Sequence, residues 1–419
     1  MISQLSTKNY RNLESGQISL KSLNILIGSN GSGKSNFVDI LKFFHNALAG
    51  NLDSRRGVTR FESAIADFGS GTILNSDLQE PAYVDLTINF QFHKAIEEIS
   101  VGLEVSNAFE VNIGYEIAIR KSLGEEYSAQ SYYYKFSKDT ESKSNFITLR
   151  ANKRVTREKM IRETNQELAF NFLPKWFEEN SSKIKGSPMI FAVRQNILSS
   201  ITNWGFYESA NMNLSDIRKD ISEITQGDMI LSQSGSNLCL VLFNLSNIYV
   251  DFRDELLFAM QELFPKTRRL DVVATNSGTP TIQWFLGDSK KPFSPRRMSD
   301  GTVRMLCWAA VLLSPRLPTL IVLDEPEAGL HPAWLKVLAG WIGRASQRTQ
   351  VIVSTHSPDL LDHFTDVLEN VLVFDRSQNE GISTVKSLTR AELQEDLNSG
   401  WKLGDLYRVG HPKVGGWAW

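Results

Sequence analysis

The chain has 419 residues, 42% of them hydrophobic, and 45 Lys and Arg nearly balance 47 Asp and Glu for a formal charge of −2. That length exceeds what one hydrophobic core usually fills, so two lobes or a core with an inserted subdomain are expected, and the charge shows no global basic excess to mark a nucleic-acid coat, although local DNA contact stays open. Residues 1–8 carry no apolar h-region, and no run of about 18 apolar residues occurs, which excludes a secreted or membrane-spanning reading and predicts a cytoplasmic chain.

Residues 2–5 predict a first strand, followed by an arm containing Arg11. Residues 23–27 form an apolar run, and residues 37–48 repeat apolar side chains at helical spacing. Between them Gly28-Ser29-Asn30-Gly31-Ser32-Gly33-Lys34-Ser35 spells a G-x-x-x-x-G-K-S loop in strand-loop-helix context. Gly31 and Gly33 let backbone N–H groups turn inward around phosphates, Lys34 neutralises the β and γ oxygens, and Ser35 is a Mg²⁺ ligand. A nucleoside triphosphate site is expected. Over residues 83–92, Val84, Leu86, Ile88, Phe90 and Phe92 alternate with polar residues, the pattern of a strand buried on one side. The period returns over residues 111–119, and residues 132–136 continue an antiparallel meander.

From about residue 150 to 265 the pattern reads mainly helical, clearest at 167–177, 235–249 and 251–264. No heptad repeat persists long enough for a coiled coil, so a compact helical subdomain is expected. Cys239 and Cys307 sit in separate apolar runs with no C-x-x-C or Cys/His cluster, and buried free thiols are expected. Strand-like pieces over 270–286 lead into a Pro-punctuated basic loop, 290–297. Next, Met298-Ser299-Asp300-Gly301-Thr302 precedes a predicted helix over 303–313 and offers amides and a hydroxyl as a second anion site.

Residues 320–323 form a short buried strand ending in Asp324-Glu325-Pro326. Two readings stand for this pair: an acidic loop after a strand, or a Walker-B site in which Asp324 holds the Mg²⁺ shell and Glu325 polarises the attacking water. Glu327-Ala328-Gly329-Leu330-His331-Pro332 reads as a turn, and residues 351–358 as a second buried strand whose tip carries His356, placed to reach a γ-phosphate.

Taken in this order, the Walker A loop, S-D-G-T, D-E-P, the turn with His331 and the strand-terminal His356 resemble the ABC-type ATPases of the RecF and SMC class. Asn9-Tyr10-Arg11-Asn12-Leu13, Gly235-Ser236-Asn237-Leu238, Leu403-Gly404-Asp405-Leu406 and Gly415-Gly416 narrow the likeness to the stand-alone bacterial predicted ATPases of that class, an OLD-like AAA-family ATPase domain without a nuclease. The resemblance covers the whole length, weakly between about 95 and 290. It implies an α/β P-loop NTPase of ABC type, with a mixed central sheet flanked by helices, an antiparallel β meander and a compact helical insertion. The expected division is a first ATPase lobe at 1–149, a mainly helical connecting subdomain at 150–290, and a second lobe at 291–419.

The resemblance further implies ATP and Mg²⁺ as cofactors and a head-to-tail homodimer in which Ser299 and Gly301 of one protomer close on the γ-phosphate held by Lys34 of the other. Transporter-type signatures read L-S-G-G-Q, whereas this chain keeps only the Ser and the second Gly. Asn36 follows the loop and completes the expected nucleotide-binding set of Gly28 to Asn36. Gln195 is the candidate Q-loop metal ligand, with an ordinary surface glutamine as the other reading. Arg11 lies near the nucleotide in that frame, or in a salt bridge with Glu14 or elsewhere.

The basic cluster over 150–162 reads as a DNA contact or as a solvated helix face, and the loop at 290–304 as a DNA contact or as charge around the ATP site. The stretch after His356 is too short for a nuclease module of about 100 residues, so cleavage of nucleic acid would need another polypeptide. The final Gly415-Gly416-Trp417-Ala418-Trp419 reads as a tail packed on its own domain or as a docking peptide. Two functions follow: an ATPase that couples dimer closure to DNA maintenance or anti-phage defence through DNA or an effector, and a slow ATP-bound scaffold that restrains a toxin or nuclease.

Overall fold

The computed structural model describes residues 1–8, 10–13, 17–49, 83–92, 96–106, 111–120, 126–135, 144–151, 154–161, 198–219, 227–376 and 382–416. Contacts divide the chain into two units, one of Met1–Lys21, Gly28–Trp204 and Phe374–Lys386, the other of Ser22–Ile27, Gly205–Val373 and Ser387–Trp419.

The first unit is built on an antiparallel sheet that starts with β1 (Ile2–Lys8), flanked by β2 (Ile18–Ser19) and by β4 (Tyr83–Phe92). Leu5 lies opposite Ile18 on one side and Ile88 on the other, and all three are buried, which fixes the register through their shared face. The meander continues through β5 (Ile96–Ser106), β6 (Val111–Arg120), β7 (Glu126–Lys135), β8 (Ser144–Ala151) and β9 (Arg154–Ile161). The helical expectation from residue 150 is therefore corrected. Residues 154–161 form a strand paired with β8, Leu149 opposite Arg157, and the basic residues there lie on a hairpin rather than on a helix. Lys, Arg and Glu favour a helix by intrinsic propensity, but Val155 and Thr156 suit a strand, and pairing with a neighbour overrides a weak local preference. The segment at 167–177 lies outside the described residues.

Helix α1 (Lys34–Ala49) buries Phe37, Ile40, Leu41, Phe44 and Leu48, a stripe at 3.6-residue spacing, with Phe37 edge-on to Phe374 at 5.8 Å.

In the second unit, β3 (Leu23–Gly28), β13 (Leu320–Asp324) and β14 (Gln350–Ser354) are parallel, with β14 between the other two. They read as continuous apolar runs because both faces of a parallel sheet are covered. The sheet of this unit continues in the order β10-β13-β14-β3-β15, where β10 is Trp204–Glu208 and β15 Val371–Arg376; most of β16 (Ser383–Ser387) belongs to the residues of the first unit. Helices α5 (Asp300–Leu312) and α6 (Pro332–Ser346) contribute the buried Trp308 and Trp341 to the core. Helix α2 (Leu214–Lys219), α3 (Leu238–Ile248) and α4 (Val250–Leu263) precede the hairpin of β11 (Thr267–Ala274) and β12 (Pro280–Leu286), so the segments at 235–249 and 251–264 are helical as expected. Both cysteines are buried free thiols, and burial pushes that of Cys307 up to about 12. Among the described residues no helix is long and apolar enough to cross a membrane.

Candidate functional site

The loop after β3 has a backbone that only its glycines tolerate. Gly28, Gly31 and Gly33 have φ of +146°, +73° and +100°, and a Cβ on Gly28 would lie 2.2 Å from the Phe374 carbonyl oxygen. A Cβ on Gly33 would press on Ser383 at 3.2 Å. Ser29, Asn30 and Gly31 are exposed along the loop, whereas Ser32 is buried. Lys34 is buried and folds back over the loop, its Nζ donating to the carbonyls of Gly28 at 2.8 Å and Ser29 at 2.9 Å. Ser35 is exposed in the first turn of α1, where unsatisfied amides and the helix dipole favour an anion. The glycine cradle and the exposed Ser35 hydroxyl fit a polyphosphate with its magnesium.

The arm before this loop grips it. Arg11, itself at φ +47°, donates through Nη1 to Asn36 Oδ1 at 2.9 Å and to Asp39 Oδ2 at 2.6 Å on α1. The salt-bridge reading of Arg11 has a partner in Asp39. Asn12 Nδ2 donates to the Gly31 carbonyl and to Ser383 Oγ, each at 3.0 Å, and Asn12 Oδ1 accepts from Asn36 Nδ2.

In the second unit β13 and β14 end level. Asp324 pairs with Ser354 and Ser354 with Leu26, and β3 runs two residues further to Gly28, where the glycine loop begins. Carboxyl ends of parallel strands are where α/β folds hold their ligands. Asp324 is half-buried there and Glu325 is exposed, with a left-handed φ of +46° held by hydrogen bonds from Glu325 N to Ser354 O at 2.9 Å and from Ser209 Oγ to Glu325 O at 2.8 Å.

Glu327, two residues on, is turned inward. Its Oε1 accepts from Thr355 Oγ1 at 2.5 Å and from the His356 amide at 3.2 Å, while Oε2 is buried and unpartnered among the described residues. Burial pushes the Glu327 carboxyl above its usual range, against the hydrogen bonds from Thr355 and His356, and the Glu325 charge adds to the rise. His356 thus has its backbone tied to Glu327, and its Nδ1 lies 3.3 Å from the Tyr407 hydroxyl.

Ser299 caps α5, accepting from Thr302 N at 3.3 Å, so the helix starts three residues earlier than expected. Gly301 packs where a Cβ would lie 3.0 Å from the Trp334 ring. Arg218 on α2 ties down this helix start through the Met298 carbonyl at 3.0 Å and the Asp300 carboxylate, and that hydrogen bond holds the Asp300 carboxyl below its usual range. Gln195 lies outside the described residues.

The family model described as "AAA domain, putative AbiEii toxin, Type IV TA system" matches residues 23–362, most of the chain. The chain belongs to that family. Over 102 residues it is 32% identical to the energy-coupling factor transporter ATP-binding protein EcfA of Methanoculleus marisnigri, a stretch covering 24% of this chain and 35% of that protein. A 78-residue stretch is 36% identical to a putative ABC transporter ATP-binding protein of Methanosarcina acetivorans, covering 18% of this chain and 27% of that one. The matched stretches therefore span about a third or less of those relatives' own length. Among solved structures, an SMC head bound to the C-terminal winged-helix domain of ScpA aligns with a TM-score of 0.52 at 17% identity, covering 93% of this chain and 99% of that one. The Smc head domain with an extended coiled coil, bound to the C-terminal domain of ScpA and derived from Pyrococcus furiosus, aligns at 0.50 and 16% identity, covering 95% and 98%. These likenesses give the fold, an α/β P-loop NTPase of ABC type.

Within this AAA-family chain, sequence reasoning missed Asn12, Arg218, Glu327 and Tyr407. Glu327 has a signal in its neighbourhood, a third acidic residue close behind Asp324 and Glu325, whereas the other three act through partners distant in sequence.

Proposed function

We propose that this AAA-family chain binds and hydrolyses ATP at the interface of a head-to-tail homodimer. The reading is supported by the register of β13 and β14, which sets Asp324 beside Ser354, two residues before His356, and by the glycine loop into which β3 leads along the chain. In it Lys34 and the loop amides of Gly28 to Ser35 hold the phosphates, and Asn36 and Arg11 brace the loop from α1 and the arm. Ser35 and Asp324, with Gln195 as the Q-loop candidate, would hold magnesium, which would supply charge neutralisation to the phosphates. Glu325 accepts a proton from water as the water oxygen bonds to the γ-phosphorus; the bond to the β–γ bridging oxygen breaks and ADP leaves. Lys34 and the His356 ring stabilise the developing negative charge. Ser299 and Gly301 of a second protomer close over the γ-phosphate, so turnover requires two chains.

The cycle serves DNA maintenance or anti-phage defence through DNA or a protein effector such as a toxin or nuclease. The family's description as a putative toxin of a type IV toxin–antitoxin system supports a partner-coupled role, and the site lies in the cytoplasm on this reading.

The test is Glu325→Gln in the full chain. It should bind ATP as the wild type does while steady-state hydrolysis falls by about a hundredfold or more, the usual contribution of a general base. Hydrolysis at the wild-type rate would remove Glu325 from the reaction.

A further inference from the structure

The C-terminal segment carries two motifs, Leu403-Gly404-Asp405-Leu406 and Gly415-Gly416, that lie beyond the residues matched to the family and that the ATPase reading does not use. Each has a local reason to be there. Leu403 and Leu406 are buried, and a Cβ on Gly404 would lie 1.9 Å from the Pro358 carbonyl oxygen. Asp405 accepts from the Lys402 amide at 3.2 Å and from Arg408 Nη1 at 2.9 Å, and Arg408 Nη2 reaches Asp359 Oδ1 at 2.9 Å. Gly416, at φ +112°, backs onto the Tyr407 carbonyl, which a Cβ would approach to 2.0 Å. The segment is thus clasped onto the turn that follows His356, with α7 (Pro358–Leu361) as its seat and α9 (Leu403–Arg408) as its helix; the short α8 (Gln394–Asn398) leads into it. What the clasp holds is Tyr407, fully buried, with its hydroxyl 3.3 Å from His356 Nδ1.

We propose that Tyr407 is a positioning residue for His356, and that the clasp of residues 403–416 keeps it there. The inference rests on the reading of His356 as a group that faces the γ-phosphate. A phosphate oxygen offers only lone pairs, so the ring must present an N–H. A phenol hydroxyl that donates to Nδ1 leaves the proton of a neutral imidazole on Nε2, the tautomer that can donate outward. The same contact stops the ring from turning about χ2, while Glu327 holds the backbone amide of His356. Because Tyr407 is buried, its hydroxyl cannot trade the imidazole for bulk water, which makes the contact persistent.

The experiment compares Tyr407→Phe, His356→Ala and the double variant in the full chain, reading kcat, KM for ATP, thermal stability and histidine side-chain ¹⁵N NMR. Tyr407→Phe keeps the ring and removes one oxygen. It should lower kcat about fivefold, the scale of one neutral hydrogen bond, with KM and thermal stability near wild type. In the His356→Ala background the same change should cost nothing further. In the wild-type protein without nucleotide, neutral His356 should carry its proton on Nε2, with Nδ1 as a hydrogen-bonded acceptor. An equal loss from Tyr407→Phe in both backgrounds, or a proton on Nδ1 in the wild type, overturns the proposal. If His356→Ala hydrolyses ATP at the wild-type rate, the ATPase role of His356 falls and takes the purpose of Tyr407 with it; the NMR tautomer then separates that failure from absence of the contact.

Discussion

The amide of Glu325 donates to the carbonyl of Ser354 at 2.9 Å, binding the residue after β13 to the tip of β14. This bond holds Glu325 at φ +46°, a conformation that disfavours any side chain, although the Glu325 side chain itself is exposed and packs little. Such strain at a solvent-facing carboxylate is costly to stability unless something else favours it. At an ordinary site alanine is more stabilising than glycine. Here the order should invert: Glu325→Gly should be more stable than Glu325→Ala by about 1 kcal/mol, because only glycine escapes the left-handed penalty. Urea denaturation of the two variants measures the difference, and both should lose hydrolysis. Equal or greater stability of the alanine variant would mean that the backbone there carries no strain.

Glu327 gives a pH-dependent expectation. Its folded-state pKa is raised by burial above the ordinary 4.5, so the unfolded chain releases this proton first as pH rises. Stability from Glu327 is therefore fully present below about 4.5 and is lost as pH climbs through the folded value. Glu327→Gln keeps an acceptor for Thr355 Oγ1 and the His356 amide but cannot ionise. Relative to wild type its stability should improve as pH rises from 4.5 through the folded value, whereas Glu327→Ala, which removes the acceptor of Thr355 Oγ1 and the His356 amide, should cost about 1–3 kcal/mol near pH 4.5, a cost that shrinks with pH in the same way. Denaturant titrations from pH 4.5 to 8 follow both; a pH-independent difference for the Gln variant would show that Glu327 titrates at its ordinary value.

What the sequence makes legible here are features whose cause is local. The glycine loop is read from residues that tolerate positive φ, and β13 and β14 from apolar runs that end in polar tips. Residues 154–161 are misread because Arg, Glu and Lys carry helix propensity while the deciding energy is pairing with β8, which a local window does not contain. Asn12 joins Gly31 and Ser383, the latter 371 residues away, and Arg218 joins Met298, 80 residues away; neither contact leaves a periodic or motif signature. Gly404 and Gly416 stand out in the sequence without their reason, which is close backbone approach to Pro358 and Tyr407.

Asn12 should matter to nucleotide affinity more than to turnover. It braces Gly31, whose carbonyl it holds at 3.0 Å, from outside the loop and carries no charge toward a phosphate. Asn12→Ala removes hydrogen bonds to Gly31 and Ser383 and orphans Asn36 Nδ2, which loosens the cradle before binding. The expected result is a rise of about tenfold in Kd for ATP, equal to about 1.4 kcal/mol, with kcat at saturating ATP within twofold of wild type. Isothermal titration and steady-state kinetics separate the two terms; a fall in kcat with unchanged Kd would place Asn12 in the chemical step instead.

Arg218 provides a complementary case within the second unit. It fastens the start of α5 through the Met298 carbonyl and Asp300, the residues on either side of Ser299. Its guanidinium serves a carbonyl and a carboxylate at once, so Arg218→Lys, which keeps the charge, should not replace it. If Ser299 and Gly301 act on a second protomer's phosphate, loosening this helix start leaves each chain's own loop intact and weakens closure of the pair. Arg218→Ala and Arg218→Lys should then bind ATP with wild-type affinity as dilute protomers, while the protein concentration for half-maximal hydrolysis rises about fivefold, the scale of one lost hydrogen bond. Because the loss lies in association, activity should return at high protein concentration. A defect that persists at saturating protein would place the effect of Arg218 inside its own protomer and argue against a site completed in trans.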